Sequence, residues 1–262
     1  MWQYIKFVLA AVGFISICII IFFLPNLFLE AKYSNVQPTP ILTQEILIPT
    51  MRLRGYCNRS TPYKQKAEFG RALGLIMQRT YNNERPFFMF TEGGYRDIIN
   101  CTQVVYSNSR ESFGAEGFFE FNPQKANHSY LPIYVDQNYK EADDILTAVL
   151  LSHEMMHALQ FLDKLNGELT LSCYDQEVSA YLTQAFFIHS LNKEEINSLE
   201  SRINQQGTHP QLQIIKNLEN LLIESLNYCG YQNTNCWLDR FKANISNMVS
   251  SNQFYQEQCK GR

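Results

Sequence analysis

The sequence predicts an α+β domain behind an N-terminal transmembrane helix. Three observations carry that reading. Residues 7–24, FVLAAVGFISICIIIFFL, contain no charged side chain. Between residues 86 and 136 the chain breaks into short aromatic and β-branched runs separated by Gly, Asn and Pro, the pattern of strands. From residue 140 onward, long stretches with helical spacing of apolar residues dominate. Strands first and helices afterwards argue for α+β rather than alternating βαβ units.

The apolar run is long enough to cross a bilayer as a helix. Lys6 and the α-amino group precede it, which favours a cytoplasmic N-terminus and an exported body. A cleaved signal peptide, giving a secreted protein, is the alternative. Its apolar core is ordinarily shorter, and no A-x-A site follows Leu24. Residues 25–50 carry Pro25, Pro38, Pro40 and Pro49 and little periodicity, as a stalk does. The expected organisation is therefore residues 1–24 as anchor or signal segment, 25–50 as linker and 51–262 as the folded domain.

Within that domain the first element is a helix over 61–82. Thr61 is placed to cap it, Pro62 suits its first turn, and Phe69, Leu73, Ile76 and Met77 share a face. PFFMFTE, YRDIINCTQVVYS, GFFEFN and LPIYVD then read as strands of a small, mostly antiparallel sheet. A long helix over 140–167 follows, with Asp143 and Asp144 in its first turn and Gly167 past its end. Further helices are expected at 174–191, 192–204, 209–227 and 234–250.

Net charge is −3 and no Lys/Arg block stands out, so nucleic acid is not an expected partner. Cys57, Cys101, Cys173, Cys229, Cys236 and Cys259 make an even six outside the apolar run, which in an exported domain points to disulfides. Their pairing is open except locally, where CGYQNTNC suggests a Cys229–Cys236 bridge. Four N-x-S/T sequons begin at Asn58, Asn100, Asn127 and Asn244.

The chemistry lies in residues 146–187, LTAVLLSHEMMHALQFLDKLNGELTLSCYDQEVSAYLTQAFF. His153 and His157 are four apart and so share a helix face, where two imidazoles can meet one ion. Glu154 is turned about 100° around the axis, so it can stand beside the ion without being a third ligand on that face. Val149, Leu150, Met156 and Leu159 make the helix a core element, and buried ionisable groups there need partners or a metal. A catalytic zinc site takes three protein ligands and leaves one position open. Glu168, Asp175, Glu177 and His189 follow the motif. Glu177 fits best, on the next helix beyond the turn at Asn166 and Gly167.

His153-Glu154-x-x-His157 followed by Glu177 resembles the gluzincin class of zinc metallopeptidases, distantly the thermolysin-like enzymes. The resemblance implies zinc held by His153, His157 and Glu177, with Glu154 as the general base that activates a zinc-bound water for peptide hydrolysis. Thermolysin-like chains carry an Asp four residues after the ligand Glu. Here that position is Tyr181, and DQEVSAYLTQA is closer to the Glu-x-x-Ala helix of minimal members. The resemblance also implies an edge strand beside the cleft, a role LPIYVDQNY would fill by pairing with a peptide substrate.

A donor to the developing oxyanion is also needed. Tyr174, Tyr181, His189, His209 and Tyr228 are available, and Tyr181, one turn past Glu177, is the one to test. His128 and His209, beside Asn and Pro, read as loop residues. The expected partners are a peptide or protein substrate and the membrane through the N-terminal helix. A non-catalytic binding or adaptor domain on the same scaffold is the competing class, and Glu154 argues against it, since binding alone has no use for a base. Hydrolysis of a non-peptide amide is a third possibility.

Overall fold

The computed structural model describes residues 63–81, 98–120, 130–165, 171–204 and 209–260, all within the unit Gln44–Arg262. The elements in chain order are α1 (Ala67–Tyr81), β1 (Thr102–Ser107), α2 (Ser109–Phe113), β2 (Gly117–Phe119), β3 (Leu131–Asp136), a 3-10 turn (Gln137–Lys140), α3 (Asp144–Leu165), α4 (Cys173–His189), α5 (Lys193–Asn204), α6 (Pro210–Cys229), α7 (Thr234–Ser251) and α8 (Gln253–Gln258). The architecture is mixed, mostly helical, with one small sheet. The expected anchor, stalk, first strand, Cys57, Glu168, His128 and the sequons at Asn58 and Asn127 lie outside the described residues.

The three-stranded sheet has the order β1-β3-β2. β3 runs parallel to β1 from Thr102↔Leu131 to Ser107↔Asp136, and antiparallel to β2 from Gly117↔Val135 to Phe119↔Ile133. The expectation of a mostly antiparallel sheet is thus corrected to a mixed one. The reason is topological. Each consecutive strand reverses direction, but β3 inserts between β1 and β2 instead of flanking them, and so meets β1 in parallel. LPIYVD is accordingly the central strand and not an edge, with Ile133 and Val135 fully buried. The edge on the site's side is β2. At the other edge the Gln65 side chain donates to the Thr102 carbonyl (2.9 Å) and accepts from the Val104 amide (3.0 Å), occupying β1 as a strand would. Residues 98–101, read as strand, are helical.

α3 is the central element. Every residue from Leu146 to Asp163 is buried. The helix starts at Asp144, later than expected, so Asp143 is not in its first turn but caps it, accepting from the Leu146 amide (2.8 Å). Among the described residues it is the one helix long and apolar enough to span a membrane, and 94% of that span is buried inside the fold, so it serves as a core helix. α1 packs along one side of it, α4 along another, and β2 lies across it with Phe119 against Phe161 (5.6 Å). The helices α5, α6 and α7 follow the predicted positions closely, while α2 and α8 are too short for periodicity to reveal.

The Cys229–Cys236 bridge joins the end of α6 to the start of α7, as expected. A second disulfide, Cys173–Cys259, ties the start of α4 to the residue after α8. Cys101 is disulfide-bonded as well. Asn244 is half-buried, its amide donating to Ser225 Oγ (3.4 Å).

Candidate metal centre

α3 and α4 are neighbours joined by a short connection, and their facing sides bring three predicted ligands together. His153 Nε2 and His157 Nε2 stand 3.1 Å apart, and each lies 3.5 Å from Glu177 Oε2. All three residues are buried, 5–8% exposed. Donors held at about 2.0–2.1 Å by a tetrahedral ion stand about 3.3 Å from one another. The observed triangle has that size. A buried His153-His157-Glu177 group of this kind can hold a metal ion.

The electrostatics ask for a cation at the same point. Burial opposes charge on His157, but Glu177, Glu154 and the Gln160 hydrogen bond outweigh it and raise its pKa to about 9. Burial would likewise protonate Glu177, yet His157 and His153 hold its carboxyl far below the usual carboxylate range. Without a metal, a proton on His157 supplies the positive charge. A metal ion and that proton compete for one place.

The orientation of His157 has an identifiable cause. The Gln160 amide donates to the Gln176 carbonyl (3.0 Å), which turns Gln160 Oε1 toward His157 Nδ1, also 3.0 Å away. Nδ1–H must then donate to it, leaving Nε2 to face Glu177. His153 Nδ1, by contrast, has no hydrogen-bond partner.

Glu154 points elsewhere, as its position on the helix predicts. Its carboxylate accepts from the Phe119 amide of β2, and its pKa is raised by burial despite the opposing pull of His153 and His157. The approach to β2 is tight. A Cβ on Gly117 would fall 2.6 Å from Glu154 Oε1 and 3.0 Å from its Cδ and Cγ. Glycine here makes room for the carboxylate.

Of the remaining expected residues, Tyr181 joins the site. Its ring stands edge-on to His153 (4.7 Å between centroids), and its hydroxyl lies 2.5 Å from that of Tyr255. Tyr174, Asp175, His189, His209 and Tyr228 do not join it. Tyr174 is half-buried against the core. Asp175 is exposed and belongs to the N-terminal cap of α4, where its amide and carboxylate both bond the Ser172 hydroxyl. It therefore orients no ligand. His189 ends α4, about 18 Å along the axis from Glu177 at the usual helical rise. His209 caps α6 against Tyr139, and Tyr228 is 71% exposed.

The triangle opens onto a cleft of ≈ 510 Å³. Residues 114–120 form one wall, α4 contributes Glu177, Tyr181 and Gln184, and Phe254, Tyr255 and Gln258 come from α8. Sequence reading missed Gln160, Gly117 and Tyr255. Gln160 alone had a usable signal, its spacing of three from His157 on the same helix.

The chain matches no protein-family model, no curated protein and no solved structure.

Proposed function

We propose that this chain is a zinc-dependent metallopeptidase of the gluzincin type, with His153, His157 and Glu177 as ligands. The observation that carries the reading is the ligand triangle with a separate buried carboxylate, Glu154, beside it at the floor of an open cleft. Two imidazoles and one carboxylate are the donor set of catalytic zinc, and the edges fit its bond lengths. The bound ion would supply Lewis acidity and a water acidic enough to ionise near neutral pH.

The chain's own groups supply the rest. Glu154 takes a proton from the attacking water and passes it to the leaving amine. Its raised pKa brings it nearer to the value that shuttling needs. Tyr181 is the donor to the scissile carbonyl oxygen as that oxygen gains charge. β2 offers an edge for an extended peptide. The Asp136 amide donates to the Glu116 carbonyl and the Glu120 amide to the Pro132 carbonyl, so alternation turns the backbone of Gly117 away from β3 toward the cleft. A substrate strand added there would lie across the metal site.

The reading includes an extracytoplasmic domain, anchored by residues 7–24 as a single span or released after cleavage. The disulfides support an oxidising compartment. The test is metal content of the purified full-length chain by elemental mass spectrometry, beside His157→Ala and Glu177→Ala, followed by cleavage of a peptide library. About one zinc per chain is expected, lost in both variants, with Glu154→Gln keeping zinc and losing cleavage. A folded chain that takes up no zinc refutes the reading. Unchanged biological activity in Glu154→Gln would make the domain a binding module.

A further inference from the structure

One buried hydroxyl in the cleft has no role in the mechanism above. Tyr255 is only 8% exposed, and its hydroxyl meets that of Tyr181 at 2.5 Å with the rings nearly perpendicular. Tyr181 in turn stacks edge-on against the ligand His153. Two neutral phenols at this distance share one hydrogen bond. One donates, and the acceptor keeps its own proton for another partner. Accepting a bond also strengthens the donation that the acceptor can make.

The element that carries Tyr255 is built to be held from outside. α8 has six residues, too few to persist on its own. Asn252 caps it through the Phe254 amide (3.0 Å), and Gln256 bonds back to the Ser250 carbonyl (2.8 Å). Its far end is fixed covalently, since Cys259 is bridged to Cys173. Cys173 lies four residues before Glu177 and eight before Tyr181, about one and two turns away along α4. The disulfide therefore fastens α8 to the helix that bears both a metal ligand and the phenol that Tyr255 touches.

We propose that Tyr255 is a positioning residue of the site. Held by the Cys173–Cys259 bridge, it donates to the Tyr181 oxygen and so directs the Tyr181 proton at the substrate carbonyl. The proposal rests on the peptidase reading above and on Tyr181 as its donor.

The test is a double-mutant cycle on the zinc-loaded full-length protein: wild type, Tyr181→Phe, Tyr255→Phe and both together. Phenylalanine keeps each ring's packing, so a purely structural Tyr255 predicts an unchanged kcat. The expected result is a kcat about 10-fold lower for Tyr255→Phe and about 100-fold lower for Tyr181→Phe, KM and zinc content being unchanged. The double variant should be no slower than Tyr181→Phe, because Tyr255 acts through Tyr181. Wild-type kcat in Tyr255→Phe, or multiplying losses in the double variant, overturns the proposal. Cys173→Ser/Cys259→Ser should reproduce the Tyr255→Phe loss with zinc retained, and wild-type kcat there refutes the role of the bridge. If wild type cleaves no peptide, the peptidase reading is what has failed. The same four proteins are then titrated with a phosphinic peptide, whose tetrahedral oxygens take the donor without turnover. Weaker binding in Tyr255→Phe only when Tyr181 is present supports the proposal, and equal binding by all four refutes it.

Discussion

Gly117→Ala adds one methyl group, and the structure says where it lands. The new Cβ would stand 2.6 Å from Glu154 Oε1, whereas ordinary contact begins near 3.4 Å, so the oxygen must retreat by about 0.8 Å. The carboxylate is the movable partner, since it ends a flexible side chain while Gly117 is fixed in β2. Retreat stretches its bond from the Phe119 amide and, on the proposed reading, takes the base off its line to the water. A displacement near 1 Å costs about 100-fold in rate. Stability should change far less. Crowding costs about 1–3 kcal/mol, here toward the low end because a side chain can yield. Replacing glycine returns about 0.4–1 kcal/mol by narrowing the unfolded ensemble. Zinc content should not change, because Glu154 is not a ligand. Peptide turnover, thermal melting and metal analysis on one preparation separate these effects. A Gly117→Ala protein with full zinc and wild-type kcat would refute the assignment of Glu154, in this position against β2, as the base.

Three further outcomes follow from the same geometry. Gln160→Leu removes the acceptor that orients His157 and should weaken metal binding about 10- to 100-fold in a chelator competition, an unchanged Kd meaning that Gln160 orients nothing. In the metal-free protein the stabilisation tied to His157, whose pKa rises from 6.5 to about 9, is fully present below pH 6.5 and is lost as the pH climbs through about 9. Raised Glu154 pulls the same way, while depressed Glu177 contributes above pH 4.5 and loses its contribution only as acid is added below that. Tm of the metal-free protein should therefore fall between pH 6.5 and 9, and zinc should flatten the curve by replacing the proton. A flat metal-free profile refutes the coupling. Finally, the bridges span separations of 86 and 7 residues. Chain entropy then predicts that losing Cys173–Cys259 costs about 4–5 kcal/mol and losing Cys229–Cys236 about 2.5 kcal/mol in urea unfolding, and the reverse order refutes that account.

The helical half was legible, α8 apart, because each long helix carries its own signal. α3 announces itself by acidic residues at its start and a largely apolar body, and α6 by Pro210 in its first turn. The sheet was less legible because strand order is a property of pairs. LPIYVD looks the same alone whether it is an edge or a centre, and its parallel partner β1 is separated from it by α2 and β2. The apolar character of Ile133 and Val135 was in plain view, and burial of the face they share explains it, but nothing in those six residues names the neighbour.

The site divides along the same line. His153, Glu154 and His157 lie on one helix, so spacing alone fixes their relative directions, and Glu177 and Tyr181 repeat that logic one turn apart on α4. What spacing cannot give is the contact between segments. Gly117 matters only because β2 crosses α3 at Glu154, and Tyr255 only because a disulfide returns the C-terminal helix to α4. Those two residues come from a three-residue strand and a six-residue helix, the elements with the weakest local signals. On the proposed reading the long helices hold the ligands, where position must be rigid. The short elements, fixed by close packing and by a covalent bridge, would then set the proposed base and the phenol. On the proposed reading, substitutions in the short elements should therefore change turnover while leaving the metal in place, and substitutions at the ligand face of α3 and α4 should remove both.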